Sequence, residues 1–462
     1  MKLRRIAALL LGTIMVVGLA GCGGSDEGST SGSRGSKSVK TDVIRVWTDM
    51  SQDRDLRLEQ VERFNQTTGK ELGIEIEYTV HGSDWHNLIR IAAQSGEAPH
   101  IYRPNGQFFS DFVSAGYFVP LSDFPELNDL VAKYEGSSPI ENQKIQLGDV
   151  YTLPFSLTSY KMAINRDLFD KNGLKDLPKD WNEVREYAKI VTENGNGTEY
   201  GYGFGLQSMW TATAYMTRPS QQDVGHFGFN NETLKFQYID FLPKFEAFAG
   251  MVTDGSIFPG YSGMDAATIN AQFVDGRIAM VTCFNNDAAL FSTSTSNIEI
   301  VDLPTHDGGP RKYKQFVDAT NAFAIGENAL ENDRIKEKVA VVYEFLYSDE
   351  NATELYEHSI HIPYSETAIA NATKKPEGLF SDFVIPADDR VIMIPSIENM
   401  VSMEGMSFQE TLLSIVAEKP TGTPKEILTE LDERINAAVA KQFTPEQLEA
   451  YKPPANWDPL AK

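Results

Sequence analysis

Once ordinary surface carboxylates are set aside, few residues of this chain have the type and spacing for chemistry. His81 and His86 lie five positions apart and His358 and His361 three apart. Neither pair belongs to a His-Glu-x-x-His motif or a calcium loop, so both read as surface or capping histidines rather than metal ligands. A nucleophile elbow, Gly-x-Ser-x-Gly, is missing; Gly260-Tyr261-Ser262-Gly263 is one residue short of it. Glycoside hydrolysis would need two carboxyl groups about 5–9.5 Å apart, which 65 acidic residues leave open. Cys283 lies in the apolar run Ile278–Phe284, where a small core thiol is expected rather than a nucleophile. No cofactor or metal is expected.

Cys22, the other cysteine, is placed differently. Lys2, Arg4 and Arg5 give a positive start, Ile6 to Ala20 is uncharged, and small residues lead to the thiol. That layout is a secretory signal, too short for a spanning helix of about 20 apolar residues. From Gly23 to Thr41 only Val39 is apolar, so this stretch cannot offset its ordering entropy and is expected to be a flexible coil. At Gly/Ser stiffness its reach is roughly 24 Å. The formal net charge of −24 argues against nucleic acid and anionic lipid surfaces as partners.

Chemistry beyond Thr41 has to be positioned by an alternation of strands and helices, which predicts α/β layers with largely parallel sheets. A strand at Val43–Trp47 leads through the polar loop Thr48–Asp53 into a helix that stops near Gly69. Ile74–Tyr78 alternates as a second strand, and Asp84–Ser95 follows as a helix with Trp85, Leu88, Ile89 and Ala92 on one face. Asp180 and Glu183 form a helix start of the capping-box type. Lys336–Tyr347 and Pro424–Val439 are further helices. A single core rarely grows past about 250–300 residues, so two lobes are expected.

Two resemblances sharpen this picture. Leu19-Ala20-Gly21-Cys22 resembles the bacterial lipobox, which implies cleavage before Cys22, a diacylglyceryl thioether on its sulfur, and a lipid-anchored protein on the outer face of the cell membrane. The motifs Ser95-Gly96-Glu97-Ala98-Pro99-His100-Ile101, Ala115-Gly116-Tyr117-Phe118-Val119-Pro120-Leu121, Asn165-Arg166-Asp167-Leu168-Phe169 and Phe273-Val274-Asp275-Gly276-Arg277-Ile278-Ala279-Met280 resemble, in order and spacing, the extracellular solute-binding proteins of family 1, maltose-binding-protein-like receptors of ABC importers. His100 stands where that family usually has Asp, and Ile164 where it has Tyr.

The resemblance implies a two-lobed periplasmic-binding-protein-like fold of type II, with ligand in a cleft between lobes joined by hinge crossings. It places 42–157 with 320–361 in the first lobe and 158–319 with 362–462 in the second. It further implies a monomeric receptor, not an enzyme, that hands a mono- or oligosaccharide to a permease. Polyamine, metal or other small-solute binding on the same plan is the alternative, and a surface-anchored glycosidase the more distant one.

A sugar presents hydroxyl rows and apolar C–H faces, so candidate contacts are rings beside neutral polar groups, on loops beyond the carboxyl ends of strands. Those loops offer Trp47, Asp49 and Ser51 after the first strand, and Tyr102 and Asn105 after the Pro99 turn. Ser208 and Trp210 follow Gly205, Phe284, Asn285 and Asp287 follow the Met280 strand, and Asn321 stands near a crossing. Trp47 and Trp210 suit either contact or core packing. Trp85 and Trp181 are expected in the core, and Trp457 as a tail anchor.

Overall fold

The computed structural model describes residues 40–462 apart from 83, 105–107, 456 and 462, and leaves the side chain of Asn399 undescribed. Cys22, the stretch from Gly23 to Val39 and Asn105 lie outside the described residues.

Thirteen strands are described. In chain order they are β1 (Asp42–Thr48), β2 (Ile74–Val80), β3 (Ile101–Tyr102), β4 (Thr152–Thr158), β5 (Tyr160–Asn165), β6 (Tyr200–Gly203), β7 (Phe229–Asn230), β8 (Lys235–Phe236), β9 (Ile278–Phe284), β10 (Ile298–Val301), β11 (Gln315–Ile325), β12 (Ile362–Pro363) and β13 (Arg390–Ile392). Seven form one sheet in the order β12-β4-β11-β3-β1-β2, with β13 paired to β11; four form a second sheet in the order β10-β5-β9-β6. β7 and β8 make a separate antiparallel ribbon. β1 runs parallel to both β2 and β3, yet β11 is antiparallel to β3 and β4, and β5 to β9 and β10. The sheets are therefore mixed rather than largely parallel, because strands returning late in the chain insert beside early ones.

The burial of β1 alternates along the strand, with Ile44 and Val46 inside, whereas β5 is buried throughout, Tyr160, Met162 and Ile164 entering one apolar cluster and Ala163 another. The helix Trp181–Asn194 starts where Asp180 accepts a hydrogen bond from the Glu183 N–H at 2.8 Å. The returning Glu183 carboxylate takes the Lys179 N–H, one residue before the position a capping box would use. This helix buries Trp181, Val184, Ala188 and Val191 on one stripe. β6 approaches so closely that a Cβ on Gly201 would lie 2.0 Å from the Ala188 Cα. Trp85 and Trp181 are core residues, as their spacing predicts, and Cys283 is buried in β9. Trp457 lies against Phe316 with ring centroids 6.4 Å apart.

One apolar core gathers β1, β2, β4 and β11 with the helix Asp333–Leu346; another gathers β5, β6 and β9 with the helices Trp181–Asn194, Leu242–Asp254 and Pro424–Gln442. Between β4 and β5 the chain passes from the first sheet to the second through the buried Ser159, whose N–H donates to Asn285 Oδ1 at 3.0 Å. The eleven-residue β11 breaks register at Thr320/Asn321 and again at Asn321/Ala324. Such irregularities re-aim side chains, and Asn321 sits in this one.

Candidate ligand cleft

A cavity of about 510 Å³ opens where the two sheets meet. Arg103, Phe109 and the helix Ser138–Leu147 form one wall. Trp210, Arg218, Phe227 and the segment Met393–Ser396 form the other, with Glu398, while Thr158 and 318–321 make the floor. Asn142 and Gln146, four residues apart on one helix, share a face toward the cavity.

Trp210 is 51% exposed, an unusual state for the largest apolar side chain. The Arg218 guanidinium lies 4.6 Å from its ring centroid and 5.5 Å from that of Phe227. Arg218 is fixed in turn by Asp318, which accepts from it and from the Tyr160 hydroxyl on the same oxygen. Arg218 thus occupies one face of Trp210 and leaves the rest of the ring to the cavity. Glu398 is 4% exposed and accepts a 2.6 Å hydrogen bond from the Tyr238 hydroxyl. Burial pushes its carboxyl up to about 7, with Tyr238 and Arg218 opposing and Asp318 adding to the rise.

Among the described residues, Arg103 Nε, Arg218 Nε, Asp318 Oδ1, Asn321 Oδ1 and Asn142 Oδ1 are buried polar atoms with no hydrogen-bond partner within the protein. All five belong to residues lining this one cavity. Buried polar groups are nearly always paired, so this concentration of unmet donors and acceptors suits a ligand carrying both.

Of the residues anticipated for contact, Trp210 and Asn321 line this cavity. Ser208 is exposed beside Trp210, its Oγ accepting from the Trp210 N–H. Asp49 and Ser51 line a neighbouring recess with His81, Gly82, Trp85 and His86, and Trp47 packs edge-on to His81 at 4.8 Å. Four others are used inside the protein. Tyr102 is fully buried, flanked by β1 and β11, and its hydroxyl donates to the Tyr117 carbonyl; Arg103, one residue on, is the side chain that reaches the cavity. Asn285, 2% exposed, holds the β4–β5 crossing, and Phe284 packs on Tyr160 and Tyr215. Asp287 caps its own turn through the Phe284 N–H and accepts from Asn270; burial pushes its carboxyl up to about 6.

Sequence reasoning did not single out Asn142, Gln146, Arg218, Phe227, Asp318 or Glu398. The spacing of Asn142 and Gln146 on one helix was a readable signal. Glu398 opens the three-residue 3-10 turn Glu398–Met400, too short to carry a periodicity.

Two lobes, each built on its own sheet, with a cavity where they meet define the class of two-lobed solute-binding folds. The chain belongs to the bacterial extracellular solute-binding protein family, whose profile matches residues 51–353. Proteins of Brucella abortus and Brucella suis named as binding proteins are 23% identical over 262 residues; the match takes in 55% of this chain and about 60% of their length. Among solved structures, a chitin oligosaccharide binding protein superposes with a TM-score of 0.63 at 18% identity, covering 87% of this chain and 99% of its own. A Thermotoga lettingae solute-binding protein bound to α-D-tagatose gives 0.62 at 18%, covering 87% and 100%. A Listeria monocytogenes ABC substrate-binding protein in complex with cycloalternan gives 0.61 at 16%, covering 88% and 100%. The family and these neighbours are binding proteins rather than enzymes.

Proposed function

We propose that this protein is the receptor of an ABC importer for a carbohydrate, held in the cavity between its lobes and released to a permease without hydrolysis. The observation that carries this is the half-exposed Trp210 ring beside unmet amide, carboxylate and guanidinium atoms in one cavity. An aromatic face suits the C–H face of a pyranose, and a hydroxyl can donate to Asn321 or Asp318 and accept from Arg103. Sugars bound by the structural neighbours support the same reading. The lobes are 42–157 with 320–361 and 158–319 with 362–462, closing about the crossings when ligand binds. A monomer tethered through lipid on Cys22 would keep its cleft near the permease at high effective concentration.

Thermal-shift and calorimetric screening of a sugar panel tests it, since a ligand selective for the native state raises the melting temperature. A shift with spermidine or a metal ion and none with sugars overturns the carbohydrate. The glycosidase reading draws on Glu398, a carboxyl with raised pKa near Asp318. One oxygen of each carboxyl already accepts from a protein hydroxyl, Glu398 from Tyr238 and Asp318 from Tyr160. Release of reducing sugar from an oligosaccharide would overturn binding without turnover.

A further inference from the structure

The charges around the cavity do not balance. Among the described residues that line it, the charged side chains are Arg103, Arg218, Asp318 and Glu398. Arg103 is already matched at 2.7 Å by Asp49, which is not part of the lining. Arg218 therefore stands alone against two carboxyls. It is committed to Asp318, and among the described residues Glu398 is held by the Tyr238 hydroxyl rather than by a cation. A carboxyl taken out of water without a counter-charge keeps its proton, as Glu398 does up to about 7.

Both carboxyls are built in place. Asp318 stands on the floor, in β11 opposite Thr158 of β4. Its Oδ2 takes the Arg218 and Tyr160 donors, while its Oδ1 is buried with no partner within the protein among the described residues. Glu398 is anchored by the 2.6 Å bond from Tyr238, whose own N–H is held at 2.6 Å by Asp432. The groups that face Glu398 are Tyr238, Arg218 and Asp318, and of these only Arg218 is positive. Once Glu398 ionises, this part of the cavity carries one more negative charge than positive. It also holds an unmet carboxylate oxygen, and shares its lining with the half-exposed Trp210 ring.

An ammonium group supplies what is missing: one positive charge and three N–H donors, with no acceptor. It satisfies Asp318 Oδ1 through a charge-assisted bond and lets Glu398 ionise. A hydroxyl also meets Asp318 Oδ1 but brings no charge, and a carboxylate or phosphate brings the wrong one. A bare calcium or magnesium ion takes six or more oxygen ligands, and among the described residues no three carboxylate, imidazole or thiol groups come together to hold a metal. The other unmet atoms, Nε of Arg103 and Arg218 and Oδ1 of Asn142 and Asn321, suit hydroxyls, which both donate and accept. A ligand that carries both kinds of group is an amino sugar.

We infer that the bound carbohydrate is an amino sugar with a free ammonium group, which lodges where Asp318 and Glu398 line the cavity. The inference rests on the carbohydrate reading and adds the charge of the ligand to it. As the ammonium enters, Glu398 gives its proton to solvent. Titration calorimetry at pH 6 tests this with glucosamine, galactosamine and mannosamine, their N-acetyl forms, the parent hexoses, and the β-1,4-linked disaccharides of the glucose series. In the series that binds, the free amine should bind about tenfold or more tighter than both neutral members. Repetition in buffers of different ionisation enthalpy should show release approaching one proton per amine bound. Glu398→Gln should abolish that release and narrow the preference for the amine, with circular dichroism checking the fold. If that variant does not fold, the wild-type comparison decides alone. Neutral sugars that bind as tightly as the amine, or a preference for the amine without proton release, overturn the inference and leave the carbohydrate reading standing. Failure of every sugar to bind would instead remove the carbohydrate reading, and the inference with it.

Discussion

At the scale of single residues, the molecule holds several buried polar groups whose consequences are measurable. Trp210→Ala should cost about 1–3 kcal/mol of ligand affinity if the ring stacks on sugar. Titration calorimetry checks this, and unchanged affinity with a lower melting temperature would return Trp210 to a packing role. For Glu398 the sign follows from burial. Its carboxyl is raised from the ordinary 4.5 to about 7, so the folded state holds the proton more tightly than the unfolded one. Its stabilising contribution is therefore full below about 4.5 and is lost as pH rises to about 7, at up to about 1.4 kcal/mol per pH unit. Glu398→Gln should flatten that part of the stability profile, read from denaturant unfolding between pH 4 and 8; an unchanged slope would refute the assignment. Lys244 is fully buried, its ammonium 4.2 Å from the Trp181 ring centroid, and desolvation holds its pKa well below the usual range although Asp223 opposes this. A depressed lysine pKa makes the fold lose stability as pH falls below about 10.4, where the unfolded chain takes up the proton first. Lys244→Met should thus raise the neutral-pH melting temperature, since it removes an amine that the unfolded chain protonates at neutral pH and the fold resists protonating.

At the scale of elements, legibility tracked periodicity. The helices with Trp85 and Trp181 were readable because apolar residues recur at helical spacing and Asp180 supplies a cap. The first two strands were readable from alternation. What escaped was pairing, because nothing local says that β11 will insert between β4 and β3. Tyr102 was misplaced for the same reason: a two-residue strand enclosed on both edges buries its tyrosine, and only the residue after it turns toward the cavity. Trp210 stood out because its neighbours are small and polar. Met393–Ser396 reach the cleft in irregular backbone that carries no pattern to detect. Element packing also yields a test. Gly201→Ala would drive a methyl into the Ala188 backbone and should destabilise by about 1–3 kcal/mol through forced separation of β6 from the helix Trp181–Asn194. Chemical denaturation measures this; a cost below about 0.5 kcal/mol would mean that the helix can shift aside.

At the scale of the whole molecule, the two lobes, the lipid tether and the cleft make one proposal with separable parts. Cys22→Ala should bind ligand as the wild type does yet leave the membrane fraction, checked by fractionation together with calorimetry. Loss of binding in that variant would tie the anchor to the cleft rather than to delivery. Scattering profiles with and without saturating sugar should show a more compact particle when bound, if the crossings act as hinges.

The position of β11 has a further consequence, for biosynthesis. The first sheet is begun by residue 42, yet the strand that joins β4 to β3 is not made until Gln315–Ile325, and the edge strand β12 comes later still. Until those residues leave the ribosome, β1–β3 and β4 are two separate pieces with an open edge between them, and long-range pairings of this kind form slowly. Fragments ending before Gln315 should therefore lack cooperative unfolding by circular dichroism, while extension through Pro363 should restore it in the first lobe's signal.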